Sequence, residues 1–348
     1  MSVPLSVLDL SPINAGESSH QALQNTIHLA RLADRLGYTR YWLAEHHNTD
    51  GMLASSTPEV MISVVAQATE RIRVGSGGIM LPNHSPLKVA ETFRVLEALY
   101  PGRIDLGIGR APGTDPRTAL ALRRSREALE ADDFPEQLAE LLAFADKGPG
   151  FPEGHLFRSV KASPNDVPLP PIWLLGSSDY SAQAAAILGV GFAFAHHINP
   201  TFAVSAIHLY REHFTPSEEG LAQPQAILAT SVICAETDER AEELATSMVL
   251  AWVRMRTGRS GPLPGPAEAR AYHYNKIEQE IAASYRARQT VGSSTVVREK
   301  LLKLQKETGA DELMITSMVY GYENRAKTYE LLAEAFDLRP TAAASQPE

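Results

Sequence analysis

The chain has a single cysteine, Cys234, set in the apolar run ILATSVICAE. One thiol excludes an internal disulfide and any cysteine-rich metal cluster, and it suits a reducing compartment. No window approaches the roughly eighteen uninterrupted apolar residues of a membrane-spanning helix. The opening stretch MSVPLSVLDLSP has neither the basic region nor the long apolar region of a secretory leader, so the expectation is a cytoplasmic protein. Basic runs are missing as well. Lys and Arg total 32 against 41 Asp and Glu, a formal net charge of −9, which removes the electrostatic footprint of a nucleic-acid binder. Hairpin signals between strands are also lacking, and this favours parallel pairing through crossovers.

With 348 residues, 44% of them hydrophobic, the chain has material for one large core or two modest ones. Short β-like runs alternate with helix-like segments almost from the start. The strand candidates are LSVLDL, RYWLAEHH, RIRVGSGGIML, RIDLGIGR, PIWLLG, GFAFA, AILATSVICAE and DELMITSMV. Helical patterns fall between them, punctuated by Gly37 as a stop and by Thr57-Pro58 and Ser85-Pro86 as starts. Eight such units predict an α/β fold of the (β/α)8 TIM-barrel type, with an open doubly wound sheet as the competitor. The units spread evenly with no dividing linker, so residues 1–340 are expected to form one domain and 341–348 a frayed tail. Two departures interrupt the rhythm. Residues 111–171 form an excursion between strands four and five, with one charged helical stretch from Asp115 to Ala145, and the Gly- and Pro-rich residues 258–275 read as a mobile loop after the seventh helix.

In such a barrel chemistry sits where strands end. The second strand candidate ends in Glu45, His46 and His47. Side chains alternate, so Trp42, Ala44 and His46 share one face while Leu43, Glu45 and His47 share the other. At least one histidine should face the barrel mouth, unless both merely decorate a solvated strand end. Adjacent histidines point apart, and without cysteines or an HExxH pattern a metal site is not expected. Gly75, Gly77 and Gly78 weaken the third strand and mark either a bulge, a close approach of backbone to a ligand, or tight packing. The fourth ends in Arg110, a fixed cation able to hold an anion or simply to sit in solvent. Gly107, Gly109 and Gly113 nearby do not make a dinucleotide loop, because Pro112 and an extra residue spoil the spacing. After the fifth strand Gly176, Ser177 and Ser178 lead into a helix, the local chemistry of an anion site or of an ordinary N-cap. His196 and His197 close the sixth strand and receive no catalytic assignment. Tyr272 to Asn275 offer aromatic residues for a lid or for an ordinary contact.

Five of these stretches in order, WLAEHHNTDG, RIRVGSGGIMLPNHSPLKVAE, LYPGRIDLGIGRAPGTDP, LLGSSDYSAQAAA and the C-terminal GADELMITSMVY with YELLAEAF, resemble the flavin-dependent luciferase-like monooxygenase family over nearly the whole chain. The nearest likeness is to its uncharacterised luciferase-like oxidoreductases. The resemblance implies an FMN-dependent enzyme, a two-component monooxygenase that takes reduced FMN from a separate flavin reductase and uses O2 on a small organic substrate. It implies His46 as a base beside the flavin. Ser76, Gly77 and Gly78 would form a bulge with a non-proline cis peptide under the ring, and Arg110, Gly176, Ser177, Ser178 and Tyr180 would hold the phosphate. It further implies a homodimer through the early helices and a mobile active-site loop after Thr257. Gly109 stands where luciferase carries a reactive cysteine; the exchange is expected to leave more room and argues against light emission or a long-chain aldehyde substrate. A deazaflavin-dependent dehydrogenase or reductase and a non-catalytic flavin-binding protein remain the alternatives.

Overall fold

The computed structural model describes residues 3–217 and 220–340; the tail expected at 341–348 lies outside the described residues. Ten strands run β1 (Leu5–Asp9), β2 (Arg40–Leu43), β3 (Arg73–Ser76), β4 (Ile79–Met80), β5 (Ile104–Gly109), β6 (Ile172–Gly176), β7 (Gly191–Ala195), β8 (Ala226–Ala235), β9 (Gln289–Ser293) and β10 (Glu312–Thr316). All pairings are parallel, and β1, β2, β3, β5, β6, β7, β8 and β10 close into an eight-stranded barrel, β10 pairing with both β8 and β1. The helices are α1 (Ser19–Leu36), α2 (Pro58–Ala68), α3 (Pro86–Leu99), α4 (Pro116–Arg123), α5 (Arg126–Glu130), α6 (Phe134–Phe144), α7 (Asp179–Leu188), α8 (Ala203–Glu212), α9 (Asp238–Arg256), α10 (Pro266–Ala271), α11 (Lys276–Arg286), α12 (Ser294–Thr308) and α13 (Tyr322–Ala335). The expected TIM barrel is the fold observed. Among the described residues no helix is long and apolar enough to cross a membrane.

Three details differ from the sequence expectation. The charged stretch from Asp115 to Ala145 is three helices, because Arg124 adopts a left-handed backbone that ends α4 and the Ser125 hydroxyl accepts the Ala128 N–H to start α5 anew. Strand β9 was not foreseen: QTVGS is short and runs straight into α12, so no turn residue sets it off. It pairs with the upper half of β8, above the level at which β10 pairs with the lower half. Residues 258–275 hold more structure than their composition suggests. Leu263 exchanges backbone hydrogen bonds with Ile13 and Ala15, Arg254 pairs with Glu268, and Asn275 and Glu278 form a reciprocal capping box at the start of α11.

Two apolar layers set the barrel's dimensions. The outer one packs strands against helices and includes Leu43, Ile62, Phe93, Ile108, Phe192 and Phe194. The inner one fills the barrel with Leu8, Trp42, Ala44, Trp173, Ala193, Ile227, Ala229 and Met314. The two indoles meet edge to face at 5.7 Å and occupy the bore, while alanines on the facing strands leave them space. Beneath them the N-terminal end is sealed by charge. Arg40 lies 4.7 Å from the Trp173 ring and bonds Asp105 at 2.9 Å and Glu312 at 2.8 Å. Arg73 and the Trp42 indole N–H also donate to Asp105. Burial pushes the Asp105 carboxyl up, but Arg40 and Arg73 outweigh it and hold the pKa below the usual value. Stability from this group is therefore present above the ordinary aspartate range and lost as pH falls through the lowered pKa. Replacing Asp105 by Asn leaves the buried Arg40 and the half-buried Arg73 guanidinium groups short of charge, and unfolding in denaturant should show a loss of about 3–5 kcal/mol; a loss below about 1 kcal/mol would contradict this role.

Candidate active site at the barrel mouth

The mouth is built from the residues that follow β2, β3, β5 and β6, which are neighbours in the barrel. Trp42 and Ala44 belong to the interior layer, so His46 is the next side chain in that inward series, and Glu45 and His47 belong to the other face. Among the described residues neither ring nitrogen of His46 has a hydrogen-bond partner, and its Nδ1 is buried. Burial lowers the His46 pKa, the neighbouring His197 lowers it further, and Glu45 only partly opposes this. The result is a histidine held neutral near neutral pH.

Glu45 does different work. Its side chain is fully buried, and its carboxylate accepts the Met80 backbone N–H at 2.8 Å and the Asn83 amide at 3.3 Å. His47 lies 2.8 Å away and His84 3.0 Å away, each through Nε2. Asn83 continues to the Pro112 carbonyl, and the His47 N–H to the Gly113 carbonyl. One carboxylate thus ties the ends of β2, β4 and β5. Burial pushes its pKa up, but hydrogen bonds from His84 and His47 and the Met80 N–H prevail and lower it; His84 is correspondingly raised.

Between β3 and β4 the chain passes through the Gly77-Gly78 peptide, which is cis. A Cβ on Gly77 would lie 2.6 Å from Leu8 Cδ1, and one on Gly78 2.8 Å from the Gly107 carbonyl oxygen. At Gly78 the obstacle is backbone, so only glycine fits there, while at Gly77 it is the end of a leucine side chain. Ser76 beside it is committed elsewhere: its hydroxyl donates to the Gly107 carbonyl at 2.8 Å and accepts the Gly107 N–H at 3.0 Å, so the side chain staples β3 to β5 and is not free to meet a ligand. Gly109 leaves no extra room. A Cβ there would stand 2.6 Å from Met80 Cε, because the Met80 thioether already fills the space; the expectation of a larger pocket at this point is corrected.

Arg110 is exposed, has no carboxylate partner among the described residues, and rests 4.2 Å from the centroid of the Tyr180 ring. Tyr180 lies in the first turn of α7. At the N-cap of that helix Ser178 makes no side-chain capping bond, so the first-turn N–H groups stay open to an anion. Gly176 allows the close return of Ser181, and the Ser177 carbonyl accepts the Asn199 amide at 3.1 Å. An uncommitted cation, open helix N–H groups and a glycine ledge therefore share one arc of the mouth. Among the described residues no cluster of three or more His, Cys, Asp or Glu side chains is arranged to hold a metal.

The family model described as luciferase-like monooxygenase matches residues 3–312. The chain belongs to the luciferase-like monooxygenase family. A luciferase-like monooxygenase of Escherichia coli K12 is 44% identical over 329 residues, covering 94% of this chain and 96% of that protein. The N-acetyl-S-alkylcysteine monooxygenase of Bacillus subtilis is 36% identical over 341 residues, covering 96% and 98%. The crystal structure of apo-MsnO8 matches with a TM-score of 0.87 at 41% identity, covering 98% of this chain and 99% of that one. The fold is shared at low identity by a type II Baeyer-Villiger monooxygenase of Pseudomonas putida in complex with FMN (19%, TM-score 0.68) and by an F420-dependent secondary alcohol dehydrogenase (13%, TM-score 0.64).

Sequence reading of this luciferase-like chain missed Met80, His84, Asn83 and Asn199. Each acts through a contact distant in sequence, and only the Asn83-His84 pair just after the glycine ledge offered any local signal. The Tyr272 to Asn275 stretch lies elsewhere: Tyr272 bonds Arg259 and Glu278, and with Tyr274 it lines a cleft of about 420 Å³ between α9, α10 and α11 that none of the predicted site residues borders.

Replacing Glu45 by Gln should cost about 1–3 kcal/mol in denaturant unfolding, since a buried charged acceptor is lost. The pH dependence carries a sign for each partner. The His84 contribution is full below the ordinary histidine pKa of about 6.5 and lost as pH rises through the raised value, while the Glu45 contribution is lost as pH falls through its lowered value. Both slopes should flatten in the variant, and unchanged slopes would remove Glu45 from this role.

Proposed function

We propose that residues 1–340 work as one barrel domain whose mouth binds FMN, and that the enzyme is a two-component monooxygenase using reduced FMN from a separate reductase and O2 on a small organic substrate. The observation that carries this reading is Arg110, a cation without an acidic partner among the described residues, resting on Tyr180 in the first turn of α7, whose N-cap makes no side-chain bond, with the Gly77-Gly78 ledge on a neighbouring strand. The donor set suits a phosphate, and the ledge suits a flat ring that must approach backbone closely. Bound reduced flavin supplies the electrons that activate oxygen.

The remaining tasks fall to the chain. Arg110 and the first-turn N–H groups of α7 bind and neutralise the phosphate, with Tyr180 keeping the guanidinium in place. The glycine ledge supports the ring, and Glu45 holds that ledge at its height. His46 is neutral and unbonded, so one ring nitrogen accepts a proton while the other donates. Beyond the ends of β1 and β10 the apolar group Met52, Met248, Leu263, Tyr285 and Met318 keeps water from that side of the mouth. Burial pushes the Cys234 thiol up to about 12, leaving it inert and the proposed cytoplasmic setting without a redox role for it. We also read the exposed Val60 and Val64 of α2 with Val95 and Leu99 of α3 as the face on which a second copy docks, which sedimentation would test.

Replacing Arg110 by Ala should weaken FMN binding about ten- to hundredfold, the loss of a charge-assisted contact, and leave riboflavin binding little changed. Equal effects on the two ligands would refute the phosphate contact. Replacing His46 by Ala should spare FMN binding and slow turnover about 10²- to 10⁴-fold; turnover at the parental rate would remove His46 from proton transfer.

A further inference from the structure

Gln289 opens β9, and its side chain has no part in the function described so far. The residue is 8% exposed, and both Oε1 and Nε2 of its amide are buried without a hydrogen-bond partner among the described residues. It is the one described side chain with two such atoms. A buried amide idle at both its donor and its acceptor is costly to the fold. Such a group calls for an explanation in what the site binds.

Its place follows from strand register. Met314 of β10 pairs with Ala229 of β8, and both side chains belong to the interior layer. One inward step higher Thr316 pairs with Ser231, and Ser231 pairs on its other edge with Gln289. All three lie within their strands, so alternation from Ile227 and Ala229 turns Ser231 and its paired neighbours inward. The packing on β9 agrees. Val291, two residues on and on the Gln289 face, packs with its partner Ile233, which shares the Ser231 face of β8. Ala241, Leu244 and Ala245 of α9 cover Ile233 and Val291. Thr316, Ser231 and Gln289 therefore form a row at the strand spacing of about 4.8 Å, with the apolar floor beneath it and that helix above. β8 is the fourth strand from β3 in either direction around the barrel, so the row faces the Gly77-Gly78 ledge across the mouth.

The row is polar and uncharged. A glutamine amide offers one acceptor and two donors along a flat edge, and the hydroxyls of Ser231 and Thr316 both donate and accept. A carboxylate would lose its hydration here for neutral partners alone, and a purely apolar group would leave the amide idle. The edge that satisfies Gln289 at both atoms is a carbonyl oxygen beside an N–H, as in a primary carboxamide or a lactam. We propose that Gln289, with Ser231 and Thr316 beside it, is the specificity-determining group of this mouth, and that the substrate presents a neutral amide edge to it. This rests on the reading of the mouth as the place where a flavin ring lies on the glycine ledge, since a molecule held by the row then lies between it and that ring.

The test is calorimetric titration of the full chain, with and without FMN, using hexanamide, methyl pentyl ketone and hexanoate as probes. The three have nearly the same shape; the ketone keeps the carbonyl and loses the N–H, and hexanoate adds charge. Hexanamide should bind about tenfold or more tightly than either of the others, and this preference should vanish in Gln289→Met. Without ligand, the melting temperature of Gln289→Met should equal or exceed that of the parent, because an unbonded buried amide is replaced by an apolar chain of similar size. Should Gln289→Met fail to fold, Gln289→Ala reads the same preference. No binding of hexanamide, equal binding of the ketone, or a preference kept in the variant would overturn the proposal. A melting temperature several degrees lower in Gln289→Met would also overturn it, since the amide would then be held by the fold. FMN affinity separates the remaining sources of an amide edge. Unchanged FMN binding in Gln289→Met supports the substrate assignment, whereas weakened binding would give the row to the flavin's own pyrimidine edge and overturn it. Failure of the parent to bind FMN would contradict the flavin reading, while the hexanamide preference without FMN still decides what Gln289 recognises.

Discussion

The Glu45 carboxylate is the contact on which the mouth depends. Backbone bonds join the end of β2 to the ledge and to the turn after β5, Gly77 N–H to the Leu43 carbonyl and His47 N–H to the Gly113 carbonyl, and β4 pairs with β5. Glu45 adds side-chain bonds to the Met80 backbone N–H, Asn83, His47 and His84. A buried carboxylate is costly unless it is fully hydrogen-bonded, and here four donors surround it. The same residue stands next to His46 in sequence and on the opposite face in space. A single dipeptide thereby places a hydrogen-bonded carboxylate on one face and an imidazole whose Nδ1 is unpartnered on the other.

Much of this was legible in the amino-acid order. Period-two alternation assigned His46 and Glu45 to opposite faces, and the interior layer of Trp42 and Ala44 agrees with it. The glycines of RIRVGSGGIML announced a break in β3, and Arg110 and the GSSDY turn arrived at the ends of neighbouring strands as an eight-unit barrel requires. What stayed hidden were contacts that sequence distance conceals. Nothing in RIRVGS says that the Ser76 hydroxyl is consumed by Gly107, and nothing in Gly109 says that Met80 will fill the space beside it. Strand β9 was invisible because its five residues have no turn signals and draw their pairing from the overhang of β8.

The electrostatics divide the barrel along its axis. The N-terminal end is closed by Arg40, Arg73, Asp105 and Glu312, where Arg40 and Arg73 hold the Asp105 carboxyl below its usual value. The C-terminal end carries His46, His84, His196 and His197, with His84 raised beside the Glu45 carboxylate and the other three lowered by burial. The two tryptophans stand between these ends, Trp42 with its indole N–H bonded to Asp105 below.

The central claim is that this mouth is a flavin site organised by the ledge and by Arg110. The most direct measurement is a crystal structure of the protein grown with FMN. The account predicts the ring over Gly77 and Gly78, the phosphate between Arg110 and the first turn of α7, and a ring nitrogen of His46 facing the flavin. FMN bound elsewhere, or absent from the mouth at saturating concentration, would contradict it.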